Sequence, residues 1–359
     1  MQGLGLCAAL FLVHFALLSG WFIEDAAITF TYARHFATGE GWVTYPGAEP
    51  VEGFSNPTWT VLLAITDLLF VTPLVAAKLY GALFGLLTLP MAYRWSLKII
   101  GPKGLLPVAV PLLLAVSPQF VIWAASGLEN GLFVLLLTSG CVWLMDEIDE
   151  GGIPWSAVAF GLAGISRPEG AMYIIVAGVL GLFFALRKRG PSALKWAFAW
   201  GGVVILPVII WQAYRMWAFA YPLPNTYYAK LQDSDKFAPL DWHKDKYGWR
   251  YVRRWALEST HGFLLPLAPI AMSGLRRPQL WGGLMLAIII GESLVPGLKW
   301  ASVLPFWPAE EQTWKIVFRV SVLAATAGAL PLLGLGRKGD VPRTIAWYMA
   351  AASIFFAVY

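Results

Sequence analysis

The chain has 359 residues, of which 58% are hydrophobic, 15% aromatic and only 13% charged, with a net charge of +5 and a mean hydropathy of +0.64. So few charged groups cannot cover a soluble surface, which excludes an ordinary soluble globular protein and points to a polytopic membrane protein. The positive charge would suggest nucleic acid in a soluble protein, but here the basic residues flank apolar runs, so membrane lipid is the expected partner and nucleic acid is not.

The first apolar run, Leu4–Phe22, has no basic n-region and no small-x-small cleavage site after it, and it reads as an uncleaved first span. It runs straight into "WFIEDAAITFTYARHF" (residues 21–36), which sets Glu24 and Asp25 together beside hydrocarbon, where ionised groups are expensive. Ala26, Phe30, Ala33 and Ala37 follow at helical spacing and predict an amphipathic helix lying on the membrane interface. Its N-terminus, where the helix dipole and free N–H groups favour negative charge, is then occupied by the two carboxylates. Capping is the expected role for Glu24, and for Asp25 capping competes with a role as a base.

Next comes "GWVTYPGAEPVEGFSNPTW" (41–59), rich in Gly and Pro and carrying Glu49, Glu52 and Asn56. Such a stretch is either an ordered turn aiming polar groups into a cavity or a plain loop. Further spans are predicted near Leu74–Trp95, Leu105–Val121, Gly131–Met145, Ala171–Leu186, Trp196–Tyr214, Leu257–Leu275, Leu280–Leu294, Trp314–Leu333 and Ile345–Tyr359. A span needs roughly 20 apolar residues, or about 17 at the short end, so the runs Pro57–Phe70 and Pro154–Ile165 are each short enough to be re-entrant or interfacial.

Lys and Arg accumulate in cytoplasmic loops, and the sequence has four such clusters. They are Arg94/Lys98/Lys103, Arg187/Lys188/Arg189/Lys195, Arg276/Arg277 and Arg337/Lys338/Arg343. All four are cytoplasmic together if Pro154–Ile165 crosses and Pro57–Phe70 does not, which gives eleven crossings with the N-terminus inside and Tyr359 outside. Glu24 and Asp25 then face outward, as do "SGLEN" (126–130), "SRPEG" (166–170) and a long loop over about residues 215–256. An ion pair of Arg167 with Glu129 or Glu169 competes with ligand binding at the two short segments. The long loop interleaves Lys230, Lys236, Lys244, Lys246, Arg250, Arg253 and Arg254 with aromatic residues, a composition suited to holding phosphate, or simply to a solvated face. The whole chain, 1–359, reads as one membrane domain with its first outer loop at about 23–73. It ends inside an apolar run, "AASIFFAVY", which predicts a truncated boundary. Cys7 and Cys141 lie inside apolar runs, His243 and His261 have no partner spacing, and no nucleotide or metal-ligand motif is present, so no cofactor is expected and a divalent cation is not indicated.

Taken in order, the acidic pair, "PVEGFSNPTW", "SGLEN", "SRPEG" and "LPNTYYAK" resemble the polytopic GT-C glycosyltransferases that use lipid-linked sugars, most of all the bacterial arabinofuranosyltransferase-like proteins. The resemblance covers roughly residues 20–230. It implies an all-α transmembrane bundle of GT-C type in a bacterial inner membrane, its active site on the periplasmic face. It also implies inverting transfer of a sugar, arabinofuranose in the nearest relatives, from polyprenyl phosphate to a glycan, lipid or protein acceptor. Asp25 matches the base position, while Glu24 stands where an Asp is expected. Arg167 and Lys230 are the implied ligands of the donor phosphate, with Arg253 and Arg254 added on charge. Glu52, Asn56, Glu129, Glu169, Asn225 and Tyr228 are the implied substrate contacts. Two other classes compete: a catalytically silent subunit of a membrane complex, and a transporter or flippase with Lys78 and Arg319 lining its path.

Overall fold

Residues 2–102 and 106–231 are described by a computed structural model of the protein, and among them the structure is entirely helical. The predicted spans from Leu257 onward, Arg253, Arg254, Arg319 and the two basic clusters beyond residue 270 lie outside the described residues.

Helix α1 (Gln2–Leu18) lies antiparallel to α4 (Pro73–Ile100), with the Phe11 ring filling the space beside Gly85 and Phe15 reaching Gly81. Between them the chain stays at one end of the bundle and forms α2 (Asp25–Ala37) and α3 (Pro57–Leu68), which pack on each other. Their joint core holds Tyr32, Trp42, Phe54, Trp59 and Leu63, and α2 buries Ala26, Thr29, Tyr32 and Ala33, so the predicted stripe holds at Ala26 and Ala33 while Phe30 and Ala37 are only partly buried. Helix α4 starts on Pro73, whose missing N–H costs nothing at a helix start.

The chain returns through α5 (Leu106–Val116) and α6 (Pro118–Ala125). The single span expected over Leu105–Val121 is a pair bent by 57°. Pro118 supplies the cause, since it has no N–H and forces Ser117 into extended backbone. Helix α7 (Asn130–Glu150) runs parallel to α4, with Gly131 against Gly81 at one end and Asp146 beside Arg94 and Lys98 at the other.

Helix α8 (Trp155–Ser166) brings the chain back. Its N-terminal Ser156 bonds Glu147 near the end of α7, while Arg167 reaches Glu129 and Asn130 at the start of α7. At 12 residues α8 covers about 18 Å, well short of a hydrocarbon core of about 30 Å. By length and composition it is not among the helices that qualify as crossings, and its bonds show only that it returns the chain alongside α7. Small residues along α8, among them Ala157, Gly161 and Ala163, let α10 approach closely, with Val204 and Pro207 against Gly161.

Helix α9 (Gly170–Arg189) and α10 (Ala193–Phe219) form a hairpin closed at Gly190, with Trp200 against Gly178 and Trp196 against Gly181. The outer loop expected from Arg215 begins at Ala220, because α10 continues to Phe219, and α11 (Asn225–Leu231) follows within it.

Among the described residues three stretches are long and apolar enough to cross a membrane: Pro73–Ile99, Asn130–Glu150 and Gly170–Phe219, the last folded back into its two helices. The bent pair makes a fourth if it counts as one crossing. Along α9 and α10 the large apolar side chains Ile175, Val179, Phe198, Ile205, Ile209 and Ile210 are exposed, an outer face suited to hydrocarbon.

Candidate functional site

Every helix turn from Trp21 to Asp25, 126–130 and 167–170, together with the 41–59 loop, lies at the same end of the bundle. Ile23 N–H donates to the Ser126 carbonyl at 2.9 Å, which seats the entry to α2 on the 126–130 segment. Gly127 has φ +89°, a left-handed value that favours glycine, and a Cβ there would stand 3.1 Å from the Ala26 Cβ. Trp59 Nε1 donates to the Gly127 carbonyl at 3.0 Å and fixes the same turn from below.

Glu24 and Asp25 are both exposed. Glu24 occupies the N-cap position but makes no side-chain capping bond, contrary to the expected capping role, because its own backbone is already helical at φ −53°, ψ −42°. Asp25 opens the first turn.

Beneath α2 a chain of buried polar groups runs across the bundle. Thr29 and Thr60 hydroxyls donate to Asn56 Oδ1 at 3.3 and 3.1 Å, and Asn56 Nδ2 donates to Glu129 Oε2 at 2.6 Å. Arg167 Nη1 donates to Glu129 Oε1 at 2.6 Å and to Asn130 Oδ1 at 2.8 Å, while Nη2 and Nε donate to Glu169 Oε1 at 2.9 and 3.3 Å. Asn56 and Glu129 are buried, and both Glu129 oxygens are occupied by these bonds. Burial by itself would lower the Arg167 pKa, but the adjoining Glu129 and Glu169 carboxylates more than offset it and hold it above the usual arginine value. The guanidinium therefore stays charged, with 27% of the side chain exposed.

Glu52 sits apart from that chain. Only 1% exposed, it accepts from Arg215 Nε at 2.5 Å, Arg215 Nη2 at 3.0 Å and Trp211 Nε1 at 3.2 Å, so it ties the 41–56 loop to the end of α10. Asn225 meets the same residue through its backbone, its N–H donating to the Glu52 carbonyl at 3.1 Å. Tyr228 packs against Tyr221 and Tyr227 on α11 and the turn before it. Lys230 lies on the backbone of α11. Thus Asn56, Glu129, Arg167 and Glu169 come together, Glu52 and Asn225 form a second group, and the exposed Glu24 and Asp25 lie above the first.

Arg215, Trp211, Thr29 and Thr60 were not singled out by the sequence reading. Arg215 carried a legible signal, being a cation in the last turns of a 27-residue apolar helix. The hydroxyls carried none. Lys78 donates to the Trp21 and Ala125 carbonyls at this end of the bundle, which caps the end of α6 with a cation and leaves it away from mid-bundle.

The opposite end holds the two described basic clusters, Arg94/Lys98 and Arg187/Lys188/Arg189/Lys195. Lys98 and Arg94 pair with Asp146, Lys188 pairs with Asp149, and Arg189 stacks on Trp196. A cavity of about 310 Å³ lined by Trp143, Asp146, Glu147, Glu150, Gly151, Ile153 and Trp155 lies there, a full helix length from Asp25. Among the described residues no group of three or more His, Cys, Asp and Glu is placed to hold a metal ion. Comparison of the chain with family models, with curated proteins and with solved structures finds no match in any of the three.

Proposed function

We propose that the chain is a membrane glycosyltransferase of GT-C type that transfers a sugar, arabinofuranose on the resemblance above, from polyprenyl phosphate to an acceptor outside the cytoplasm. The observation that carries this reading is the placement of Asp25. It is an exposed carboxylate at the head of an interfacial helix, on the same end of the bundle as Arg167 and opposite the basic clusters. Under the positive-inside tendency the basic end is cytoplasmic and Asp25 faces the periplasm of a bacterial inner membrane. Seven helical passes among the described residues then cross, within a bundle of about eleven.

In the reaction the ionised Asp25 takes the proton of the acceptor hydroxyl. The freed oxygen forms a bond to the anomeric carbon from the face opposite the phosphate. The bond from that carbon to the phosphate oxygen breaks, and the polyprenyl phosphate departs with the electron pair. A positioned base contributes about 10²–10⁴-fold. Cations facing the departing phosphate stabilise its growing charge, and Arg167 and Lys230 are the assigned groups, with Arg253 and Arg254 as further cations of the same loop. Glu169, Asn225 and Tyr228 are left to contact substrate, since Glu52, Asn56 and Glu129 are buried in bonds within the protein.

The test is transfer from a radiolabelled polyprenyl-phosphate arabinofuranose donor in membranes carrying the full chain. Asp25→Asn keeps size and removes basicity, and it is expected to lower the rate about 100-fold or more with the protein inserted normally. A wild-type rate in Asp25→Asn overturns the assignment of the base. A subunit without catalysis, or a transporter, gives no turnover of this donor in either form.

A further inference from the structure

We infer that Thr29, Asn56 and Glu129 are positioning residues that set the place of Asp25, and that they do not contact substrate. This inference rests on the reading of Asp25 as the base.

Thr29 lies one helical turn after Asp25 on the same helix, so whatever holds Thr29 holds the turn that carries the carboxylate. Its hydroxyl is buried against the Asn56 side chain, 3.3 Å from both Oδ1 and Nδ2; Oδ1 also accepts from Thr60 and Nδ2 also donates to Glu129. Glu129 is in turn fixed by Arg167 at 2.6 Å. The charge on Glu129 is thereby compensated inside the protein, and because Glu129 and Asn56 are both buried, neither is open to a sugar. A hydrogen-bonded chain of this kind in a dry surrounding resists displacement, because each broken link leaves a buried group unpaired. It connects α2, which carries the carboxylate, to the start of α3, the start of α7 and the turn after α8. Asp25 itself is exposed and has no such anchor of its own, so its position is inherited from this chain.

The experiment uses the full chain in lipid nanodiscs with the polyprenyl-phosphate arabinofuranose donor. Thr29→Val keeps the shape and removes only the hydroxyl, and leaves the Asn56–Glu129–Arg167 links in place. We expect kcat to fall about tenfold with the donor KM within about twofold, the size one lost hydrogen bond accounts for. Amide exchange at residues 26–29 should quicken, and Thr29→Ser should restore both. A Thr29→Val protein with faster exchange but wild-type kcat overturns the inference and leaves the network merely structural. Unchanged exchange also overturns it, as does a rate loss that Thr29→Ser fails to restore. A wild-type rate in Asp25→Asn sinks the base reading itself and the positioning role with it, a separate and recognisable result.

Discussion

Two kinds of ionic contact occur in this bundle, and their exposure decides what each contributes. Glu52 and Arg215 are buried, with side-chain exposures of 1% and 14%, so truncating one strands the other's charge. Arg215→Ala should cost about 3–5 kcal/mol, read as a marked fall in thermal unfolding temperature. Lys188 and Asp149 are 45% and 38% exposed, and Lys188→Ala should cost no more than about 1 kcal/mol by the same measurement. Gly127 poses a different constraint. Its φ of +89° and the 3.1 Å approach to Ala26 leave an added methyl strained and crowded. Gly127→Ala should destabilise by about 1 kcal/mol or more and displace the head of α2, lowering donor turnover as well.

Elements in this fold are legible to different degrees. Helix α2 follows from the spacing of Ala26, Phe30 and Ala33, because an amphipathic helix is dictated by residues three and four apart. The bend between α5 and α6 falls inside a run long enough for one span, although Ser117, Pro118 and Gln119 interrupt its apolar character there. Helix α8 is too short to be recognised as a crossing by length, and only its bonds to both ends of α7 reveal that it returns the chain. Its packing on α10 depends on Gly161, which lies against Pro207 and the Val204 carbonyl. Gly161→Val should therefore wedge the two helices apart at a cost of about 1–3 kcal/mol, visible in thermal unfolding. Gly201→Ala, with open space around the position, should leave that temperature unchanged.

At the scale of the molecule each end carries both signs, with Arg167 and Arg215 on carboxylates at one and Asp146 and Asp149 on lysines at the other, and two features tell the ends apart. Acidic Glu24 and Asp25 mark one, and Lys98, Lys188 and Lys195 mark the other. Orientation can be read by labelling with an impermeant maleimide in intact cells, since both native cysteines are buried and give little background. Glu24→Cys should label from outside and Lys195→Cys only after lysis; labelling of both from one side would overturn the proposed topology. The sequence by itself determined that the chain is a helical protein with membrane-competent segments, and where α2 lies, because apolar content and helical periodicity are properties of neighbouring residues. Tertiary structure alone decided that Asn56 meets Glu129 across 73 residues and that Glu52 meets Arg215 across 163. Such pairings are set by how successive helices return to one end of the bundle, and a polar residue in a loop carries no record of which distant turn will be folded against it.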